Sequence, residues 1–346
     1  MDLLENIVPA DILTYARAVP DPENFLLTRE IVPNTFINNV KYRIKNRERR
    51  VNAAKFRAYD AETPRGRREV AHSVTEGLLP PLGDVYVVGE LETILLSLER
   101  GSDDQELLDE LYDDVERHVL AIKSRLELAA GDLLEDGIFE IQDENGLFIE
   151  ADFGVDPLNL PTSAIMWDDP TALALTDEQA WIQRLVDTGS GRPGDALASS
   201  VVISSMARND EYKESFFGRA QSSYPTLTPG QVQSVRDTYR LPTIRDYDTT
   251  VRVDGVNQRV LAEEKFILLP SDKTTFAETQ YGITAESLAL SRSGNPRIVR
   301  EDLPGIVVTT FEQDNPVAVG TKGNAVAMPV LYAPEDFISA TVLDPA

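Results

Sequence analysis

The stretch that decides the fold is DQELLDELYDDVERHVLAIKSRLELAAGDLLED at 104–136, followed by Gly137 and then IFEIQDENGLFIE at 138–150. Leu107, Leu108, Leu111, Val115, Val119, Ile122, Leu126, Ala129 and Leu133 recur at three- and four-residue steps, the period of a helix with one apolar face. Ser102 or Asp103 can cap its start and Gly137 can close it. Asp104, Glu106, Asp109 and Glu110 crowd its first turns, where the positive end of the helix dipole favours acids. At 1.5 Å per residue such a helix is roughly 45–50 Å long, enough to span a domain. Two alternating apolar runs then flank Asn145-Gly146, the strongest short-range signal of a β-hairpin. A domain-spanning helix running straight into a hairpin predicts an α+β fold.

Upstream of the helix the chain has little to fold around. In residues 1–38, Leu3, Leu4, Ile7 and Ile12 suggest a short amphipathic helix, and Pro9, Pro20, Pro22 and Pro33 break the rest into extended pieces. Val40, Tyr42 and Ile44 alternate with Lys41, Arg43 and Lys45, the period of a strand with one apolar face. Thr63-Pro64-Arg65-Gly66 is a turn signal, and the apolar pattern returns at Val85, Val87 and Val88. Residues 40–88 therefore predict a long two-stranded excursion. A lone hairpin is marginal in water, so it needs support from elsewhere.

Downstream, 155–173 is a Pro- and Asp-rich connection. Thr176 with Gln179 predicts a capping box ahead of Ala180, Trp181, Leu185 and Val186, and Gly189 ends that helix. Val201-Val202-Ile203 predicts a short buried strand, followed by a helix to about Arg219. Thr228-Pro229 with Gln231 repeats the capping signature. Asp254-Gly255 marks another hairpin, Phe266–Leu269 a buried strand, and three closing strands are expected near 306–311, 325–332 and 337–343.

Charge is segregated along the 346 residues. The chain carries 58 acids against 33 Lys and Arg, a net charge of −25. Residues 41–68 nevertheless hold Lys41, Arg43, Lys45, Arg47, Arg49, Arg50, Lys55, Arg57, Arg65, Arg67 and Arg68 against three acids. Residues 84–116 hold 12 acids and one base, Arg100. Such separation suits a molecule whose basic part meets the acidic part of another copy. The strongly negative remainder argues against general nucleic-acid binding, although Tyr42, Phe56 and Tyr59 interleave the basic segment as a nucleic-acid surface would.

The catalytic inventory is thin. There are no cysteines and only two histidines, His72 and His118, which gives neither a thiol nucleophile nor a zinc pattern. Gly189-Ser190-Gly191-Arg192-Pro193-Gly194 has the letters of a dinucleotide loop but follows a helix, and Pro193 removes a donor, so a helix-terminating loop is expected. Asp113-Asp114 and Asp168-Asp169 could chelate a cation, but with so many acids a solvated face is the simpler reading. No run approaches the ~18 apolar residues of a membrane span. The start, Met1-Asp2-Leu3-Leu4-Glu5, lacks a signal peptide's basic region, so a soluble protein made in the cytoplasm is expected.

Arm, charged hairpin, long helix with hairpin, mixed α/β region and closing strands come in an order that resembles the major capsid proteins of tailed bacteriophages, specifically the lambda-type capsid protein E family with the Hong Kong 97-type fold. The residues that carry the resemblance are mainly Phe266-Ile267-Leu268-Leu269-Pro270, Thr309-Thr310-Phe311-Glu312, Met328–Phe337 and Val342-Leu343. It implies an N-terminal arm (1–38), an extended loop (39–88), a peripheral domain (89–160) with a spine helix at 104–136, an axial domain (161–290) and strands returning to the peripheral domain (291–346). It also implies pentamers and hexamers closing into an icosahedral shell in the virion, assembled in the host cytoplasm around double-stranded DNA held without sequence-specific contacts. A portal, a decoration protein and, because the arm begins almost at once, a separate scaffolding protein are expected partners. No catalytic residue, cofactor, metal or membrane is expected.

Within this reading the basic residues of 41–68 form one side of an intersubunit contact, and Asp109, Asp113 and Glu116 on the helix form the other. The alternatives are an encapsulating-compartment shell of the same fold, a metal-dependent hydrolase built on the acid pairs, and a nucleic-acid-binding module using 41–68.

Overall fold

The computed structural model describes residues 15, 16, 18–47, 72–88, 105–144, 146–218, 225–292, 305–314 and 317–345. A single π-helical turn (Leu27–Ile31) leads into β1 (Asn34–Phe36), β2 (Lys41–Arg47), β3 (His72–Leu78) and β4 (Pro81–Val88). Helix α1 (Gln105–Asp136) follows, 32 residues long, and then β5 (Ile138–Glu144) and β6 (Leu147–Asp152). The buried stripe of α1 is Val115, Val119, Ile122, Leu126, Ala130, Leu133 and Leu134. Gly131 lies inside this helix, where glycine costs roughly 1 kcal/mol relative to alanine. The cause is a crossing chain: a β-carbon at 131 would stand 1.8 Å from the Val260 carbonyl oxygen.

The second region runs α2 (Ala174–Thr188), β7 (Pro193–Ala198), α3 (Ser200–Arg208), α4 (Asp210–Phe217), α5 (Pro229–Thr238) and β8 (Thr243–Asp246). The ribbon of β9 (Thr250–Val253) and β10 (Val256–Arg259) turns at Asp254 and Gly255, both at positive φ, as the Asp-Gly pair requires. The chain closes with β11 (Lys265–Pro270), β12 (Ala277–Tyr281), α6 (Ala285–Arg292), β13 (Val307–Asp314), β14 (Val317–Leu331) and β15 (Ile338–Thr341).

Two sheets organise these elements. In the first, β14 pairs antiparallel with β4, β12 and β13, and β1 adds parallel to β12. In the second, the order is β15-β11-β7-β8. β11 explains its own composition: Phe266 and Leu268 enter one hydrophobic core, Ile267 and Leu269 the other. A strand buried on both faces reads as a continuous apolar run. The second sheet is thus a shared wall. On one side lies a core built with α1, the π-helical turn and the β5–β6 ribbon; on the other lies a core built with α2, α3, α4 and α5.

Several expectations change. Val201-Val202-Ile203 is helical, within α3, because Ser199 caps that helix through its side chain and Val202 faces the core. Thr176 and Gln179 form no capping box. The first turn of α2 is capped from α4, where the Glu211 carboxylate accepts from Leu175 N at 2.7 Å and Thr176 Oγ1 at 2.5 Å. The strand returning along β2 is β3, and Val85, Val87 and Val88 lie in β4, which is committed to β14. β14 is longer than the expected 325–332, starting at Val317. β15 pairs antiparallel with β11 in the shared wall. The second capping box, Thr228 with Gln231, is present as read.

The second core holds a buried ion pair. Arg236 donates to Glu178 at 2.6 and 2.7 Å, to Tyr212 Oη at 3.2 Å and twice to the Pro242 carbonyl, and it lies 5.8 Å from the centroid of the Phe266 ring. Both charged side chains are fully buried. Glu178→Ala leaves the guanidinium uncompensated and should lower stability by about 3–5 kcal/mol in urea unfolding, whereas replacing both partners by apolar residues of similar volume should cost much less.

Candidate assembly surface

β2 and β3 pair antiparallel from Lys41↔Leu78 to Arg47↔His72. The base of this hairpin is anchored. Tyr42 is buried against Phe153, with ring centroids 6.4 Å apart, and it packs so tightly over Gly77 that a β-carbon there would stand 2.6 Å from its ring. Burial pushes the Tyr42 hydroxyl pKa up. Lys41 and Arg43 occupy the opposite face of β2 and are exposed. Lys45 and Arg47 follow at the same two-residue repeat. Arg43 meets Glu76 at 3.9 Å, an exposed pair of little energetic weight. Arg49, Arg50, Lys55, Arg57, Arg65, Arg67 and Arg68 lie outside the described residues.

The expected acidic partners are on α1. Asp113 is exposed, Glu116 is half-buried, and Asp109 lies one turn before them on the same helix. This part of α1 also carries bases that meet its own chain. Arg117 reaches Asp114 at 3.4 Å, and Lys123 binds Asp21 and the Val19 carbonyl, both at 2.7 Å.

Two polar residues within the apolar arc of α1 are structural keys; the sequence marks His118 there as a packed or partly solvated histidine and gives no reading of Glu127. Glu127 is fully buried and accepts from Leu27 N at 2.9 Å, Thr28 N at 2.8 Å, Thr28 Oγ1 at 2.6 Å and Tyr247 Oη at 2.6 Å. One carboxylate therefore ties the chain entering the fold to α1 and to the segment after β8. Burial, reinforced by the Glu127 charge, pushes the Tyr247 hydroxyl pKa far up. The sequence signal was a lone acid between Leu126 and Leu128; its partners are 99 to 120 residues away.

His118 is the second key. It is completely buried, its Nδ1 contacts Asp84, and its Nε2 lies 2.9 Å from Thr321 Oγ1. Tyr86 covers one side of the ring at 4.5 Å between centroids, and Gly323 makes room for the side chain, since a β-carbon at 323 would stand 2.8–3.0 Å from ring atoms of His118. Acid, imidazole and hydroxyl in line are the parts of a nucleophilic relay. Here Thr321 is 1% exposed, so the hydroxyl has no opening for a substrate, and the arrangement locks α1 onto β4 and β14.

The remaining candidate motifs serve the chain itself. The 189–194 loop leaves α2 with Gly189 in the left-handed conformation and enters β7, the reverse of a dinucleotide loop. Asp169 accepts from Thr171 N and Oγ1, which hold its carboxyl pKa below the usual range. The two acid pairs lie apart, and among the described residues no three His, Asp or Glu side chains gather as an ion cage. No helix among them is long and apolar enough to cross a membrane.

This architecture is shared with phage-related proteins of solved structure. The chain superimposes with a TM-score of 0.61 on a protein of an E. coli CFT073 prophage assigned as a capsid protein, at 14% identity, covering 97% of this chain and 99% of that one. A phage-related protein from Bordetella bronchiseptica RB50 gives a TM-score of 0.56 at 12% identity, covering 98% and 99%. The fold is the Hong Kong 97-type capsid fold. By sequence, residues 9–342 match the phage major capsid protein E family, and the chain belongs to that family: it is a capsid shell protein, a component of the virion. No curated protein matches the chain.

Glu127→Ala strands the buried donors of Leu27, Thr28 and Tyr247, each costing about 1–3 kcal/mol when left unsatisfied. The expected result is a lower unfolding midpoint together with rapid proteolysis within 20–31; an unchanged digestion pattern would show that the carboxylate does not hold this segment.

Proposed function

We propose that the protein acts by assembly alone, as pentamers and hexamers that close into an icosahedral shell around packaged double-stranded DNA, with no sequence-specific DNA contact and no catalytic step. The observation that carries this is the β2–β3 hairpin. Tyr42 anchors its base, and Lys41 and Arg43 on the opposite face of β2 are exposed. Such an element gains its stability by lying on a neighbour. The same reading divides the chain into an N-terminal arm, an extended loop whose two strands are β2 and β3, a peripheral region around α1, and an axial region around the second core. A separate scaffolding protein, a portal and a decoration protein complete it, with assembly in the host cytoplasm.

In this mechanism the basic loop of one subunit lies on acidic surface of the next, Asp109, Asp113 and Glu116 among it. Each exposed pair contributes only ~0.2–1 kcal/mol, but a row of them sets register and steers association. Apolar contacts of the arm and axial region supply most of the affinity. Electron microscopy of the purified protein, alone and with its scaffold, should show closed particles with five-fold vertices; stable monomers under all conditions would overturn the reading. Reversal of Arg47, Arg49 and Arg50 to Glu should abolish particles at low salt, and unchanged assembly with unchanged salt sensitivity would remove charge pairing from the mechanism.

A further inference from the structure

The β5–β6 ribbon has two unlike faces. Phe139 and Ala151, directly opposite each other, are buried in the first core. On the other face Glu140 stands opposite Glu150, both exposed, with Asp152 and the 69%-exposed Phe148 beside Glu150 on the same strand. Like charges directly opposite in a ribbon are destabilising. The last turns of α1 add Asp132, Glu135 and Asp136, with no basic residue, at the end of the helix where the dipole disfavours acids. Asp132 Oδ2 accepts from Glu140 N at 3.3 Å, so helix end and ribbon form one surface. Desolvation, with the Asp136 and Glu140 charges, pushes the Asp132 carboxyl up to about 6. The excess reaches well beyond the ribbon: from 126 to 183 the sequence has 14 acids and no Lys, Arg or His.

We propose that this outer face of the β5–β6 ribbon receives the cationic face of β2 from a second copy of the chain. The proposal rests on the shell reading above and names the surface that the strand part of the loop occupies. Three features fit the two faces together. The charges are opposite. Both sets sit on strands and repeat every second residue, about 6.8 Å apart, so Lys41 and Arg43 match the spacing of Glu150 and Asp152. Each face also carries one exposed large apolar side chain next to its charges: Leu78, 59% exposed and opposite Lys41, and Phe148. The contact joins copies because Tyr42 is buried in its own core while Lys41 and Arg43, on the opposite face of β2, are turned outward.

The test is a charge exchange between two variants. Lys41→Glu with Arg43→Glu makes both faces acidic; Glu140→Lys with Glu150→Lys makes both basic. Each variant alone should fail to form particles at low salt, while a chain carrying all four substitutions, in which the two exchanged faces are again opposite in charge, should assemble. Melting of the free subunits checks folding. In addition, Glu150→Gln should melt no lower than wild type, since it relieves repulsion, yet require a several-fold higher protein concentration to assemble. Wild-type particles together with unimpaired assembly of the Lys variant, or a fourfold variant as inactive as either parent, would overturn the contact. Absence of wild-type particles would overturn the shell reading itself.

Discussion

The structure depends on how α1 buries its apolar stripe. A helix of 32 residues is too long to be covered by one neighbour, and different stretches of the stripe meet different partners. Val115 and Val119 pack with Ala16, Val19 and Val308; Ile122 and Leu126 pack with Tyr281, Ala325 and Ala327; Ala130, Leu133 and Leu134 enter the first core. Because those partners come from both ends of the sequence, the helix fixes the relative positions of the arm, the first sheet and the shared wall. Gly131 shows how close the approach is, since Val260 occupies the space a side chain would need.

Buried polar groups then select one arrangement among the many that hydrophobic burial would permit. Glu127, His118 and the Arg236–Glu178 pair each have partners distant in sequence, and each is satisfied only when those partners are in register. Such groups are costly when left unmade. The result is a single register for the cores, while Lys41 and Arg43 on β2 and Glu140 and Glu150 on the β5–β6 ribbon stay exposed.

What was legible in the sequence was local. The periodicity of α1, the turn at Asp254-Gly255 and the capping box at Thr228 are decided by residues within a few positions of one another. What was not legible depended on distant partners. Val201-Val202-Ile203 has the composition of a strand, and only its place behind the Ser199 cap and against the second core makes it helical. The cap of α2 comes from Glu211, 35 residues on. Val85–Val88 alternates like a hairpin strand because its partner in β14, more than 230 residues away, imposes the same period as a hairpin would. The first half of β14, Val317–Asn324, contains two glycines and a lysine and was missed for that reason; Gly323 is there to admit the ring of His118. For the proposed assembly surface, the basic segment was legible from charge alone, whereas the acidic ribbon face needed the register that sets Glu140 opposite Glu150.

The central claim is that the isolated subunit is complete in its cores and incomplete in its ribbons. Amide hydrogen exchange compared between free subunits and assembled shells tests it most directly. Equal, slow exchange of β7 and β11 is expected in both states, with β2, β3, β5 and β6 exchanging quickly in the free subunit and strongly protected in the shell. Ribbons protected to the same extent in both states would contradict it.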